Sequence, residues 1–384
     1  MVTLMLAFLI NERLLNGSRS TFLRLVTSNS VQEVNLTLIQ FGGDPDHVII
    51  HGASAGAGSV ALQMTAFGGR DDHLFTGGIV QSAFWPTLMG VEDVEFKFNA
   101  LAENVSCSDA EDILMCLRSK DAATLQKGDV AIPFPGSPAI PIWQFLPVVD
   151  GVFIQDQLYN LFDQGKFIRI PVLLGNDKNE GTYFAPNATT SEEFLDFMQS
   201  NYPTLGEVDL QWINSTYPLM PPANMHGAWF PSAAAAYGET TFNCPGNEMA
   251  AKIARNTGPD FVWNYYTNII DQQYIALGLG VPHTIESLAI FGPNQGGTCD
   301  DCSFETYNAP IVPVVMDYFI SFVKTLNPNP LASQEAPAWE PWGKGGAQGH
   351  RIRFQTNNTA MEIVSTDQVE RCTHWKELAQ VMRQ

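Results

Sequence analysis

Short apolar runs alternate along most of this chain with longer segments whose apolar positions recur at helical spacing. The short runs are typical of buried strands, and the longer segments are typical of amphipathic helices. The predicted strands are residues 48–50, 78–82, 170–175, 261–266 and 351–354. The predicted helices are residues 94–117 with a cysteine loop inside, 191–202, 233–255, 313–325 and 369–383. This alternation predicts an α/β fold with a mostly parallel sheet that helices cover on both faces.

The first forty residues do not follow this pattern, because polar stretches at 17–20 and 27–30 interrupt any sustained period. Residues 1–10 are apolar, but they lack the basic flank and the small-residue cleavage site of a signal peptide. We therefore interpret them as a segment of the core. No apolar stretch of the sequence is long enough to cross a bilayer.

Composition and charge argue against some classes of binding partner. The chain has 384 residues, of which 45% are hydrophobic and 16% are charged, so a globular protein with a large core is expected. The formal net charge is −20 at pH 7. Such an acidic chain is repelled by nucleic acid and by anionic membrane surfaces, which argues against both as partners.

Cysteines and glycosylation sequons suggest an extracellular protein. The chain has six cysteines, and Cys107 and Cys116 bracket a short loop that suits a local disulfide. The remaining four can pair in three ways, and the sequence does not choose: Cys244, Cys299, Cys302 and Cys372. A zinc site at the C-x-x-C of Cys299 and Cys302 would need a second ligand pair, and none has suitable spacing. N-x-S/T sequons occur at Asn16, Asn35, Asn104, Asn187, Asn214 and Asn357.

A G-x-S-x-G pentapeptide centred on Ser54 lies between the first predicted strand and a helix-compatible run at 59–64. In such a strand–turn–helix setting, the serine is held in a strained turn that exposes its hydroxyl above the sheet. Gly52 and Gly56 would let the strand and the helix approach closely. We predict that Ser54 is a nucleophile and that the Ala55 N–H donates to an oxyanion. The alternative is a helix N-cap serine in a loop of small residues.

A serine nucleophile needs a base, and the base needs an acid that orients it. Of seven histidines, His283 ends a loop punctuated by Gly and Pro, and it is our candidate base. Asp177 and Glu180 both follow the predicted strand 170–175, and the pattern alone leaves both open as the acid. Surface-loop histidines and solvated loop acids are the competing interpretations. The order serine, acid, histidine is that of α/β-hydrolases.

Several segments together resemble the type-B carboxylesterase family, which contains cholinesterases and fungal triacylglycerol lipases. The matching segments are FGGDP at 41–45, GASAG at 52–56, QS at 81–82, NEGT at 179–182, NPN at 327–329, WEPW at 339–342 and RC at 371–372. The resemblance implies one α/β-hydrolase domain over residues 41–384. It also implies hydrolysis of small-molecule or lipid esters without a cofactor, by a protein that is secreted in its full-length form.

The resemblance also implies roles for individual residues. Ser54 would be the nucleophile and His283 the base. Glu180 rather than Asp177 would be the acid, because the family's acid directly precedes the glycine matched by Gly181. Ser82 would lie near the triad and support it, and Cys107–Cys116 would be a disulfide.

The chain departs from the family in its first part. The family supplies two oxyanion donors from a run of glycines, whereas residues 1–41 contain a single glycine, Gly17. We therefore expect residues 1–40 to be a divergent remnant of a truncated N-terminal part, through either an error in the gene model or true divergence. Losing one donor typically costs about 10²–10³ in rate, so we expect the chain as written to be inactive on short-chain esters or poorly soluble.

Two other functions remain as alternatives to an ester hydrolase. Some proteins with this fold act in adhesion, and they tend to have lost members of the triad. The retained Ser54, Glu180 and His283 argue against that class of non-catalytic binding module. The second alternative is an inactive fragment of an esterase.

Overall fold

A twisted sheet runs through the protein, and its strands lie side by side in the order of the chain. The computed structural model describes residues 4–5, 43–293 and 302–384. Within those ranges the strands are β1 (Leu4–Met5), β2 (Ile49–Ala53), β3 (Gly77–Gln81), β4 (Val172–Asp177), β5 (Val262–Thr267), β6 (His350–Phe354) and β7 (Ala360–Ile363). All neighbouring strands are parallel except β6 and β7. The predicted mostly parallel sheet is therefore confirmed.

Helices connect the parallel strands, as the sequence pattern predicts. They are α1 (Ala55–Gly69), α2 (Val91–Asn104), α3 (Ile113–Ser119), α4 (Ala122–Gly128), α5 (Leu158–Asp163), α6 (Ser191–Asn201), α7 (Glu207–Thr216), α8 (Phe230–Gly238), α9 (Cys244–Asn256), α10 (Gln272–Ala276), α11 (Ser287–Phe291), α12 (Ile311–Thr325) and α13 (Thr366–Met382). Each predicted strand and each predicted helix has a counterpart among the strands and helices of the structure. The predicted helix 233–255 is divided, because a π-helical turn at Glu239–Asn243 joins α8 to α9.

Alternate strand residues face opposite sides of the sheet, and each side has its own core. Ile50, Val80 and Leu174 pack on α1 in one core. Ile49, Ile79 and Leu173 pack on α12 in the other. All side chains of α1 from residue 57 to residue 66 are buried. A helix that is buried all round must be central, and α1 is therefore a rigid support for the turn that precedes it.

The first part of the chain is described only at β1. Leu4 and Met5 pair in parallel with Ile50 and His51, so β2 has a two-residue neighbour on its outer side. The predicted remnant at residues 1–40 otherwise lies outside the described residues. Among the residues that are described, no helix combines the length and the apolar character needed to cross a bilayer.

Two disulfides connect described cysteines. Cys107–Cys116 closes the loop between α2 and α3, as predicted. Cys244–Cys372 joins α9 to α13 across 128 residues of sequence, which excludes the two pairings in which Cys244 bonds Cys299 or Cys302. Cys299 itself lies outside the described residues, as do two of the sequons, Asn16 and Asn35.

Candidate active site

Four parallel strands are aligned near their carboxyl ends, at one edge of the sheet. The register places Ala53 beside Gln81, Gln81 beside Gly175, and Gly175 beside Tyr265. Because these strands are parallel, the loops that follow them leave the sheet at the same edge. In open α/β sheets this carboxyl edge is where ligands bind. Ser54 is the first residue beyond that row of four.

Ser54 has the strained backbone that the sequence predicts for a nucleophile. Its φ of 59° and ψ of −120° lie outside the usual regions for a residue with a side chain. Such a conformation costs about 1–3 kcal/mol and persists only where the surroundings enforce it. Here the Ser54 N–H donates to the Gln81 carbonyl at 2.8 Å, and the Gly58 N–H donates to the Ser54 carbonyl at 3.0 Å. The serine is thus fixed between the end of β3 and the first turn of α1.

The two glycines of the pentapeptide are not equivalent. A Cβ on Gly52 would lie 2.1 Å from the backbone of Gly56, whereas a Cβ on Gly56 would meet nothing within 4 Å. Only Gly52 therefore needs to be glycine for the close approach of β2 and α1, which corrects the expectation that both do. Ala55 is exposed as the first residue of α1, and its N–H has no acceptor within that helix.

His283 and Glu180 form a buried hydrogen-bonded pair. The His283 Nδ1–H donates to Glu180 Oε2 at 2.5 Å, and the two side chains are 6% and 0% exposed. The proton is assigned to Nδ1 because a carboxylate only accepts. Glu180 Oε1 also accepts from the Asp177 N–H at 2.7 Å and from Asn176 Nδ2 at 3.2 Å. These donors fix the carboxylate as well as orienting the imidazole.

Close packing explains why a glycine follows Glu180. A Cβ on Gly181 would lie 1.9 Å from the carbonyl oxygen of Ala234 in α8. The loop of His283 is anchored to the same turn, because the Asn179 N–H donates to the Val281 carbonyl and the Val281 N–H donates to Asn179 Oδ1, both at 2.9 Å. The loops that carry Glu180 and His283 are therefore held together by backbone as well as by side chains.

Aromatic rings enclose His283 on its other sides. Its ring centroid lies 5.0 Å from that of Phe184 and 4.6 Å from that of Phe242. Nε2, the second ring nitrogen, is buried and has no hydrogen-bond partner among the described residues. The structure thus brings Glu180 and His283 into contact and brings Ser54 to the same edge, and no hydrogen bond between Ser54 and His283 is formed in the described part of the chain.

Ser82 lies at the end of β3, beside the serine turn. It is fully buried with a φ of 57°, and its N–H donates to the Gly175 carbonyl at 2.7 Å. Its hydroxyl has no hydrogen-bond partner among the described residues. The supporting role expected of Ser82 stays a prediction, because the described contacts join only its backbone to the neighbouring strand.

A second group of buried polar residues, which the pattern analysis did not assign, crosses the sheet behind the pair. His51 Nε2–H donates to Gln81 Oε1 at 2.5 Å, and Gln81 Nε2 donates to Glu286 Oε1 at 3.2 Å. The Tyr265 hydroxyl donates to the same Glu286 oxygen at 2.7 Å. The available signal was the polar Gln81 at the end of an otherwise apolar strand. In the described ranges, no cluster of three or more histidine, cysteine or carboxylate side chains suits a metal ion.

Comparison with known proteins shows which family this chain resembles in sequence. The sequence model of the family described as "Carboxylesterase family" matches residues 30–375. The chain is 34% identical over 200 residues to "Lipase 2" of Geotrichum candidum, covering 48% of this chain and 35% of the relative. It is 28% identical over 344 residues to "Secreted lipase 1" of Botryotinia fuckeliana, covering 82% of this chain and 56% of the relative.

A solved structure extends this likeness to three dimensions. The crystal structure of Aspergillus niger EstA superposes with a TM-score of 0.90 at 49% sequence identity, covering 94% of this chain and 69% of that one. The present chain spans about a third to three-fifths of the length of the curated relatives it matches.

Proposed function

The chain belongs to the carboxylesterase family, and from this premise we propose that it carries the catalytic triad of a carboxylic ester hydrolase. The observation that supports this most is the buried hydrogen bond from His283 to Glu180 at the sheet edge where strained Ser54 emerges. Because the relatives are longer than this chain, the activity of the whole protein is part of the proposal.

The proposed reaction passes through an acyl-enzyme. His283 Nε2 takes the proton of Ser54 Oγ as that oxygen forms a bond to the ester carbonyl carbon, and the imidazolium then gives the proton to the leaving alcohol. Water releases the acid by the same steps in reverse. Glu180 stabilises the imidazolium through Nδ1, and the Ala55 N–H donates to the oxyanion.

The buried, unpartnered Nε2 of His283 supports the role of base. A buried nitrogen without a partner lacks the stabilisation of a hydrogen bond, and the Ser54 hydroxyl or a leaving alcohol would restore it. The Glu180 carboxylate, fixed by three donors, is suited to act as the acid because it needs no reorganisation when the imidazole becomes charged.

Apolar or aromatic esters suit the surroundings of the proposed base. The Trp143 ring lies 6.0 Å from Phe84 and 6.0 Å from Phe184, and Phe184 in turn contacts His283. Trp143 is 37% exposed, so part of this aromatic surface is available to a bound molecule. We assign it to the hydrophobic part of a small-molecule or lipid ester, with the polar carbonyl at Ser54.

An extracellular setting fits the same proposal. Two relatives are named secreted lipases, from Botryotinia fuckeliana and Gibberella zeae. The two disulfides among the described residues are of the kind that persists in oxidising compartments. Glycosylation of the sequons remains a prediction.

The test is covalent labelling with a fluorescent alkyl phosphonate, which reports an activated serine even where turnover is slow. We expect labelling of the wild type at Ser54, none in Ser54→Ala, and at least about 10²-fold slower labelling in Glu180→Gln. Folded wild type that leaves Ser54 unlabelled would contradict the proposal.

A further inference from the structure

Three carboxyl oxygens lie buried without a donor beside the proposed triad. They are both side-chain oxygens of Asp177 and Oε2 of Glu286, and none has a hydrogen-bond partner among the described residues. Both side chains are 0% exposed. Buried ionised carboxylates without donors are costly, so these three acceptors indicate that part of the negative charge is neutralised by a proton or a cation.

The two carboxyl groups belong to the two loops that hold the proposed acid and base. Asp177 stands three residues before Glu180, and Glu286 stands three residues after His283. The side chains of Asp177 and Glu286 lie close enough to form a hydrogen bond once one of the two carboxyl groups carries a proton. A second side-chain link thus runs parallel to the bond between Glu180 and His283.

A shared proton would satisfy these oxygens, and the surrounding donors indicate which residue carries it. Glu286 Oε1 accepts from the Tyr265 hydroxyl at 2.7 Å and from Gln81 Nε2 at 3.2 Å, which stabilises Glu286 as the ionised partner. Burial raises the pKa of Asp177 well above its ordinary value, the charges of Glu286 and Glu180 raise it further, and the Thr267 hydroxyl offsets only part of this shift. The titratable and polar side chains around Asp177 are Glu286, Glu180, Tyr265, Tyr266, Tyr183 and Thr267.

We propose that Asp177 is a protonated positioning residue, a neutral carboxylic acid at pH 7 that donates its proton to Glu286. Two buried carboxylates in contact cannot both stay ionised without a cation, and a shared proton turns their repulsion into a short hydrogen bond. The backbone N–H of Asp177 donates to Glu180 at 2.7 Å. A neutral Asp177 side chain therefore leaves this N–H beside the Glu180 carboxylate without placing a second negative charge next to that carboxylate.

The state of Asp177 can be measured without any activity, by infrared spectroscopy of the folded protein at pH 7. We expect the carbonyl stretch of a protonated carboxyl group in the wild type and its loss in Asp177→Asn. Glu286→Gln should lose it as well, because the new amide would donate to an ionised Asp177. Asp271→Asn is the matched control and should keep the band, since the equally buried Asp271 accepts from Ser303 Oγ at 2.6 Å and from the Gln273 N–H at 2.8 Å.

Absence of the band from the wild type, or its persistence in both Asp177→Asn and Glu286→Gln, would overturn the proposal. Two variants are used so that failure of one to fold leaves the other as the test. Because infrared spectra do not depend on turnover, this result is separate from the success or failure of phosphonate labelling.

The effect on the triad, which rests on the proposed function, is tested by the pH dependence of phosphonate labelling at Ser54. Replacing a neutral Asp177 by Asn changes no charge, so we expect the acid limb of the pH profile of Asp177→Asn to stay in place. Removing an ionised carboxylate so close to the pair would move that limb by about one pH unit or more. A shift of that size would show that Asp177 is charged, whereas a wild type without labelling would count against the function and not against the protonation.

Discussion

His51 shows at the scale of one residue how burial sets a charge state. It lies on β2 with 7% exposure, stacks on Phe291 at 5.6 Å between ring centroids, and donates from Nε2 to Gln81. Burial lowers the pKa of His51 from 6.5 to about 4, and the hydrogen bond to Gln81 offsets only part of this shift. His51 is therefore neutral at physiological pH, which suits a structural role within the sheet.

This shift makes stability depend on pH. The folded pKa of His51 lies below the unfolded value, so the unfolded chain binds more protons between about pH 4 and pH 6.5. Stability therefore falls as the pH falls through that window, by about 3 kcal/mol for this residue. In His51→Gln the free energy of unfolding should no longer show the pH dependence that His51 contributes. Urea denaturation at several pH values measures this change.

His73→Gln is the matched control for this measurement, because the His73 side chain is 89% exposed and lies outside the core. Its denaturation should follow the wild type at every pH. Equal pH dependence in His51→Gln and the wild type would show that His51 is not the group responsible.

At the scale of structural elements, the turn that carries Ser54 requires glycine at only one of its two glycine positions. In Gly52→Ala the new methyl group would press on the Gly56 backbone 2.1 Å away, and backbone cannot move aside as a side chain can. We expect a loss of about 3 kcal/mol or more in the free energy of unfolding, or no folded protein at all. Thermal and urea denaturation measure the effect.

Gly56→Ala supplies the matched comparison within the same pentapeptide. Its methyl group would enter open space on α1, and alanine is the better helix former by about 0.5–1 kcal/mol. The variant should be as stable as the wild type or slightly more so. Equal destabilisation by both changes would mean that the turn tolerates no side chain for a reason other than this contact.

The π-helical turn between α8 and α9 is an element that periodicity did not reveal. Glu239–Asn243 carries one extra residue per turn, and within it Phe242 lies against the imidazole of His283. Helical spacing predicted a single helix over 233–255, because a π turn shifts the apolar positions by only one residue. Such turns are frequent at functional sites, and here the turn supplies a wall of the proposed one.

At the scale of the whole molecule, the two described disulfides differ in the length of chain they close. Cys244–Cys372 spans 128 residues and Cys107–Cys116 spans nine. In the chain-entropy account the longer loop restricts the unfolded state more, by about 5 kcal/mol against about 2.5 kcal/mol. Replacing both cysteines of the longer loop by serine should lower the midpoint of urea denaturation more than the same change in the short loop.

Unfolding of the two double-serine variants under oxidising conditions makes this comparison, with the wild type as reference. A larger loss from Cys107 and Cys116 than from Cys244 and Cys372 would contradict the ranking. It would mean that local packing around the short loop, and not restriction of the unfolded chain, dominates disulfide stabilisation in this protein.

The sequence by itself determined the features that are written in neighbouring residues. Alternation of apolar runs with helical segments predicted the mostly parallel sheet, and the pentapeptide around Ser54 predicted a strained serine between a strand and a helix. The pattern left Asp177 and Glu180 both open as the acid, and the glycine after Glu180 favoured that residue only through the family resemblance. Each of these signals acts within a few residues, where local geometry and packing leave a readable pattern.

Only the tertiary structure decided the features that join distant parts of the chain. Cys244 could pair in three ways until α9 and α13 were brought together, and the edge strand β7 was missed because its residues are half-exposed. The contact between Asp177 and Glu286 spans 109 positions of sequence and depends on how two loops meet above the sheet. No local sequence pattern encodes such a contact, because the free energy of the contact depends on burial and on the charge of a residue that is distant in sequence.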